Sequence, residues 1–141
     1  MEKIIIHFDG ASKGNPGISG AGWHISATNY SKKGYEYLGK KTNNQAEYTA
    51  LLRALEIVEK DFEQLSNVDL VIKGDSQLAI RQLQGEYKVK SPNLIELYTQ
   101  VTQIIDKIGK KEYLWIPRDE NSIADEQANI AINFRQKLAR I

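Results

Sequence analysis

Three consecutive isoleucines, Ile4 to Ile6, lead into His7 and Phe8, a run that predicts a mostly buried strand ending at Asp9. Gly10 to Gly17 is dense in Gly and Pro and reads as a turn. A second strand is expected from Gly20 to Ala27, a polar turn from Asn29 to Gly34, and a third strand from Tyr35 to Leu38. These three make an antiparallel meander. The period then changes. Between Gln45 and Lys60, Glu47, Leu51, Ala54 and Val58 fall on one helical stripe that Leu52 and Leu55 widen. Val68 to Lys73 is a short β-branched run and predicts a fourth strand. Ser76 to Gln84 reads as a short helix stopped by Gly85, and a longer helix follows Pro92 with Leu94, Leu97, Val101, Ile104 and Ile108 apolar. Glu112 to Ile116 is the fifth expected strand, closed by Pro117. The last helix starts near Asn121 or Ser122 and runs to the C-terminus, with Ala124, Ala128, Ala131, Ile132 and Leu138 apolar.

The order βββαβααβα predicts an α/β fold. Strands separated by helices are most simply parallel, so strands one, four and five should form a parallel core, with the hairpin strands antiparallel at one edge. The expected architecture is a five-stranded mixed sheet with helices on both faces. No repeat or low-complexity segment interrupts it, and residues 1–141 read as a single domain.

Composition adds exclusions more than assignments. Hydrophobic residues at 41% and charged residues at 26% are those of a globular chain. The absence of Cys removes disulfides, thiolate zinc sites and cysteine nucleophiles together, and fits a reducing cytosol. No signal peptide is evident, since His7 and Asp9 interrupt the first apolar run, and no run approaches the ~20 residues of a membrane span. A cytoplasmic, monomeric protein is expected. The net charge of +1 neither announces nor excludes a nucleic-acid partner, because acids gathered in a site cancel basic residues placed elsewhere.

Four acids stand at informative places. Asp9 ends the first expected strand, Asp75 follows the fourth, and Asp125 lies in the first turn of the helix entered from the fifth. Strand carboxyl ends form one edge of an α/β sheet, where sites usually sit. Glu47 joins them from the first turn of its helix, on the stripe facing the sheet. Each acid also has an ordinary structural explanation. Asn44 could be an N-cap with Glu47 as its reciprocal partner. Asp75 could cap the Ser76 helix, Asp125 could answer the helix dipole, and Asp9 could start a turn. Gathered at one edge, however, four carboxylates repel one another unless cations bind there. An all-oxygen ligand set suits Mg²⁺ or Mn²⁺ rather than zinc. His7 and His24 both fall inside expected strands and read as core or surface strand residues. Two such ions can activate a water and stabilise the leaving oxygen of a phosphodiester displacement.

These residues carry a signature. Asp9-Gly10-Ala11-Ser12-Lys13-Gly14-Asn15-Pro16-Gly17, then Thr42-Asn43-Asn44-Gln45-Ala46-Glu47, Asp75-Ser76-Gln77 and Asn121-Ser122-Ile123-Ala124-Asp125 resemble, in order and over nearly the whole chain, type 1 ribonuclease H. The resemblance is to the compact archaeal and bacterial branch rather than to forms with an added hybrid-binding domain. It implies the ribonuclease H-like fold and a two-metal endonuclease that cuts the RNA strand of an RNA–DNA hybrid, leaving 3′-hydroxyl and 5′-phosphate ends. By the same resemblance Asp9, Glu47, Asp75 and Asp125 match the metal-binding acids, with two Mg²⁺ ions (or Mn²⁺) as cofactor and Asp9 touching both. Asn15, Asn43 and Gln77 match positions that contact the minor groove and RNA 2′-hydroxyls, and Thr42 and Asn43 match the pocket for a DNA-strand phosphate. Gly10 and Ser12 belong to the block expected to lie against the substrate.

The residue types make chemical sense beside the resemblance. A 2′-hydroxyl both donates and accepts, which suits amide side chains, and it separates RNA from DNA. Free N–H groups at a helix start favour a phosphate. Glycines such as Gly10 and Gly14 let a backbone approach closely.

The chain departs from the pattern in two places. Many members carry a His in the loop before the last helix; here Pro117-Arg118-Asp119-Glu120 is short and has none. Arg118 is the expected substitute, a permanent cation able to bind a phosphate but not to act as a base. The long basic protrusion of some relatives is reduced to a short connector from Gly85 to Pro92 with Tyr87, Lys88 and Lys90. Trp23 and Trp115 lie in expected strands and read as core rather than as stacking platforms. A non-catalytic binding module on the same fold should have lost at least one acid, and a transposase or exonuclease should carry other acid motifs. Neither pattern is present.

Overall fold

The computed structural model describes the backbone of residues 1–139 and the side chains of residues 1–134. Five strands, β1 (Glu2–Gly14), β2 (Gly17–Ala27), β3 (Tyr30–Lys41), β4 (Val68–Gly74) and β5 (Lys110–Trp115), form one sheet in the order β3-β2-β1-β4-β5. The β1–β2 and β2–β3 pairs are antiparallel, and β1–β4 and β4–β5 are parallel. The helices are α1 (Asn43–Asp61), α2 (Gln77–Leu83), α3 (Pro92–Ile105) and α4 (Ser122–Ala139). The mixed α/β architecture and the parallel set of strands one, four and five are those the pattern predicts. Leu138, expected on the apolar side of the last helix, lies outside the described side chains.

The hairpin strands are longer than their composition suggests. Gly10 to Gly14 is not a turn but the outer half of β1, paired residue for residue with β2 down to Gly14 opposite Gly17. The turn is confined to Asn15-Pro16, whose peptide bond is cis. Likewise the second turn shrinks to Thr28-Asn29, with Asn29 left-handed at φ 57°, and β3 begins at Tyr30. Glycine weakens a strand by entropy, but continuous pairing with β2 supplies the ladder that local propensity does not.

The sheet is covered on both faces, and its register shows how. Neighbouring strand residues point to opposite faces. A Cβ on Gly10 would stand 2.5 Å from the Glu47 backbone nitrogen in α1. A Cβ on Gly22, the cross-strand partner of Asp9, would stand 2.2 Å from the Ala124 carbonyl in α4. Helix α1 therefore packs on the Gly10 face and α4 on the Asp9 face. The α1 side holds the main core, where Ile4, Ile6, Phe8, Leu51, Leu55, Leu70 and Ile72 are all buried. The α4 side is thinner, with Ala124, Ala128 and Ala131 lying against the glycines of β2. Two glycines thus set how near each helix, with its acid, can come to β1.

Candidate active site

Asp9 lies inside β1 rather than at its end. The expectation of an end had a real basis: parallel pairing of β1 with β4 stops at His7 opposite Lys73, and beyond it β1 continues only as a hairpin arm on β2. The carboxyl edge of the parallel strands therefore falls at Asp9 even though the strand does not. The Phe8 carbonyl, just past the last paired residue, is taken by the side-chain amide of Asn121 at 2.9 Å.

The four acids come from β1, α1, the bend after β4 and α4. Asp9, Glu47 and Asp75 line one cleft of about 470 Å³ with Gly10, Ser12 and Asn43. Asp125, from the first turn of α4, hydrogen-bonds the Asp9 carboxyl and stands 3.9 Å from the Arg118 guanidinium. Burial, then Asp75, Asp125 and Glu47, hold the Asp9 carboxyl well above the ordinary carboxylate range. Burial and the charge of Asp75 raise Glu47 to about 8, against a smaller opposing effect of a hydrogen bond from Ser76. These shifts are the signature of carboxylates crowded without a compensating charge.

The capping explanations for Glu47 and Asp75 do not hold, while Asp125 does lie in the first turn of α4, where the helix dipole favours an acid. Thr42, not Asn44, caps α1: its hydroxyl accepts from the Gln45 N–H at 3.2 Å, and the Gln45 side chain accepts from the Thr42 N–H at 2.9 Å. Glu47 lies beyond that box and is free of it. Ser76, not Asp75, caps α2, accepting from the Ala79 N–H at 3.1 Å. Asp75 is held instead by its neighbours. The Asn121 amide donates to its Oδ2 at 3.1 Å, and the Trp115 indole N–H donates to its carbonyl at 3.0 Å.

The expected substrate residues separate into three groups. Gly10, Ser12 and Asn43 line the cleft. Asn15 and Thr42 brace it: the Asn15 side-chain oxygen accepts from the Asn43 N–H at 3.1 Å, tying the β1–β2 turn to the start of α1. Gln77 lies outside, in a neighbouring pocket with Trp115. The glycine at position 10 is required by the α1 backbone behind it as well as by access from the front. Arg118 opens a short 3₁₀ turn (Arg118–Glu120), with its side chain 83% exposed at the cleft wall. His7 and His24 face each other across β1 and β2 with ring centres 6.1 Å apart, outside the cleft.

Two residues carry geometry that periodicity does not single out. Asn121 is 1% exposed and joins Phe8 to Asp75, while its own Oδ1 has no partner among the described residues. Asn129 lies one turn after Asp125, lines the cleft and donates to the Asp125 carbonyl at 2.9 Å and its Oδ1 at 3.3 Å. The i, i+4 spacing of Asp125 and Asn129 was the available signal. Trp115 departs from expectation most clearly: Trp23 is buried, but Trp115 is 46% exposed.

A divalent cation fits this donor set. Among the described residues no group of three or more His, Asp or Glu side chains stands close enough together to hold a metal ion between them. Mg²⁺ does not need such a group, since it keeps several waters and takes one or two carboxylates directly. The open, polar cleft and its raised carboxyl pKa values are what such an ion would relieve.

A family model described as reverse transcriptase-like matches residues 7–131. The chain is 35% identical over 133 residues to ribonuclease HI of Halobacterium salinarum, covering 93% of this chain and 65% of that protein. It is 34% identical over 134 residues to the bifunctional protein Rv2228c of Mycobacterium tuberculosis, covering 93% of this chain and 36% of the relative. The chain thus spans about a third of the mycobacterial protein and under two thirds of the halobacterial one. Among solved structures, LC11-RNase H1 in complex with an RNA/DNA hybrid superposes with a TM-score of 0.87 at 38% identity, over 94% of this chain and 99% of that one. Sequence, topology and the order of the acid-bearing elements agree: this chain belongs to the type 1 ribonuclease H family.

Proposed function

We propose that residues 1–141 form a catalytic domain that hydrolyses the RNA strand of RNA–DNA hybrids, leaving 3′-hydroxyl and 5′-phosphate ends. The observation that carries this reading is the convergence of Asp9, Glu47 and Asp75 on one cleft with Asp125 beside Asp9, while Thr42 and Ser76 supply the caps of α1 and α2. The solved relative bound to an RNA/DNA hybrid supports the substrate class. Mg²⁺, or Mn²⁺ in its place, bound as a pair by the four carboxylates would activate the attacking water and stabilise the leaving oxygen.

The chain's own residues supply the rest. Asn121 fixes Asp75 against β1, and Asn129 fixes Asp125, so two of the acids are held in place before substrate arrives. Gly10, Ser12 and Asn43 form the wall on which the hybrid backbone would lie. Ser12 is set by a hydroxyl network, accepting from Ser19 at 3.0 Å and donating to the Gly14 carbonyl. Arg118 faces the cleft as a permanent cation and would hold a phosphate oxygen beside Asp125. It leaves proton transfer to water, since an arginine does not act as a base near neutral pH.

The test is incubation with labelled RNA–DNA hybrid, duplex DNA and duplex RNA, in Mg²⁺ or Mn²⁺ and in EDTA. Metal-dependent cutting of the RNA strand in the hybrid is expected. No cutting with either ion would overturn the proposal.

A further inference from the structure

Beside the acid cleft lies a second, smaller pocket of about 160 Å³, lined by Gln77, Ile80, Arg81, Gln84 and Trp115. One of its walls is an aromatic ring. Trp115 is 46% exposed, yet its indole N–H is fixed on the Asp75 carbonyl at 3.0 Å, so the ring is held in one orientation. Gln84 is fixed too, donating to the Tyr113 carbonyl at 3.0 Å. Arg81 brings a cation to the pocket; one guanidinium nitrogen donates to the Tyr87 hydroxyl at 2.7 Å, and the group lies 5.4 Å from that ring. A pinned indole, a guanidinium and two amides beside an aliphatic floor are the parts of a site for a planar, hydrogen-bonding ring attached to a phosphate.

We propose that this pocket takes the base of an unpaired nucleotide on a single strand continuing from the bound hybrid. The proposal rests on the hybrid-cleavage reading for what fills the neighbouring cleft. Within a duplex, base faces are covered by their neighbours, so a half-exposed indole lining a pocket is complementary to an unpaired base and not to a paired one. Continuity with the cleft is direct, because Asp75 lines the cleft and its carbonyl anchors the ring that walls the pocket. Gln77 stands at the same junction, two residues beyond Asp75 and inside the second pocket.

The experiment compares KM for a blunt RNA–DNA hybrid with KM for the same hybrid carrying a short single-stranded RNA extension, at either end in turn. Stacking of one base should lower KM for one of the extended substrates about fivefold to tenfold in the unaltered protein. Trp115→Leu should abolish the blunt-to-extended ratio, whereas Trp115→Phe, which keeps a ring and loses only the N–H, should retain most of it. Because each variant serves as its own control, general damage at Asp75 does not move the ratio. An equal KM for blunt and extended hybrids, or an advantage that survives Trp115→Leu, overturns the proposal. Should the unaltered protein cut no hybrid, the cleavage reading fails by itself. The pocket is then decided by titrating single-stranded RNA in EDTA, following the emission of Trp115 against buried Trp23. Quenching that Trp115→Leu removes supports the base site, and its absence overturns it.

Discussion

Asp9 and Gly22 are cross-strand partners, and the absence of a side chain at Gly22 allows α4 to lie close enough for Asp125 to hydrogen-bond Asp9. A Cβ at Gly22 would meet the Ala124 carbonyl at 2.2 Å and the Ala128 nitrogen at 2.4 Å, both backbone atoms that no rotamer change can clear. The helix itself must move. Gly22→Ala should therefore cost about 1–3 kcal/mol or more of stability, as overpacked cores do. It should also lower hybrid cleavage by more than tenfold even at temperatures where the variant is folded. Chemical denaturation and initial rates measured on the same preparation separate the two losses. Full activity would mean that α4 can retreat without carrying Asp125 away.

A pH dependence follows from the crowded acids in the metal-free protein. The Glu47 carboxyl moves from 4.5 to about 8, and Asp9 shifts in the same direction. Between the unfolded and folded values the native state binds more protons than the unfolded chain, so stability falls as pH rises through that window. In EDTA the melting temperature should decline from about pH 4.5 towards pH 8, and Asp9→Asn should flatten the slope. Millimolar Mg²⁺ should flatten it too, by satisfying the ionised carboxylates. A melting temperature that rises over this range would contradict the arrangement.

Asn121 offers a sharper probe of how Asp75 is held. Asn121→Ala leaves the Phe8 carbonyl and the Asp75 carboxylate without their donor and should cost about 1–3 kcal/mol. Asn121→Asp keeps the shape but sets a further acid against Asp75, so it should lose activity at neutral pH and recover part of it as pH falls. Urea unfolding and a pH–rate profile are the measurements.

Arg118→Ala tests the departure from the family pattern. Its cation stands at the cleft wall and, among the described residues, its ion pair is a 3.9 Å contact to Asp125, so removal should leave stability unchanged. Turnover should slow by about tenfold, the value of a charge-assisted phosphate contact, with KM changing much less. Unaltered kcat would place Arg118 outside the reaction.

The acids were legible because strand ends and helix starts are marked by strong local signals: β-branched runs before Asp75, the isoleucine run before Asp9, and the apolar stripe carrying Glu47. The hairpin limits were not. Gly10 to Gly14 and Tyr30 to Gly34 have turn-like composition, and only pairing with β2 makes them strand. The capping residues were misplaced for a related reason. Thr42, Asn43 and Asn44 are all competent caps, and the choice among them is made where β3 ends at Lys41. Trp115 shows a third limit, since strand alternation says which side a residue faces but not whether anything covers that side. Asn121 and Asn129 act through contacts across or along elements that a single apolar pattern does not report.

The two outermost strands have a consequence for how copies of the protein meet. β3 and β5 each end the sheet, and an edge strand is the usual template for association between chains. β3 carries Lys32, Lys33, Lys40 and Lys41, and β5 begins with Lys110 and Lys111. A second molecule approaching edge to edge in register would bring lysines against lysines and strip water from them. Such edge lysines disfavour growth of the sheet into a fibril. The cations that bring the net charge to +1 despite a cleft full of acids thus also keep each molecule's ladder closed to its neighbours.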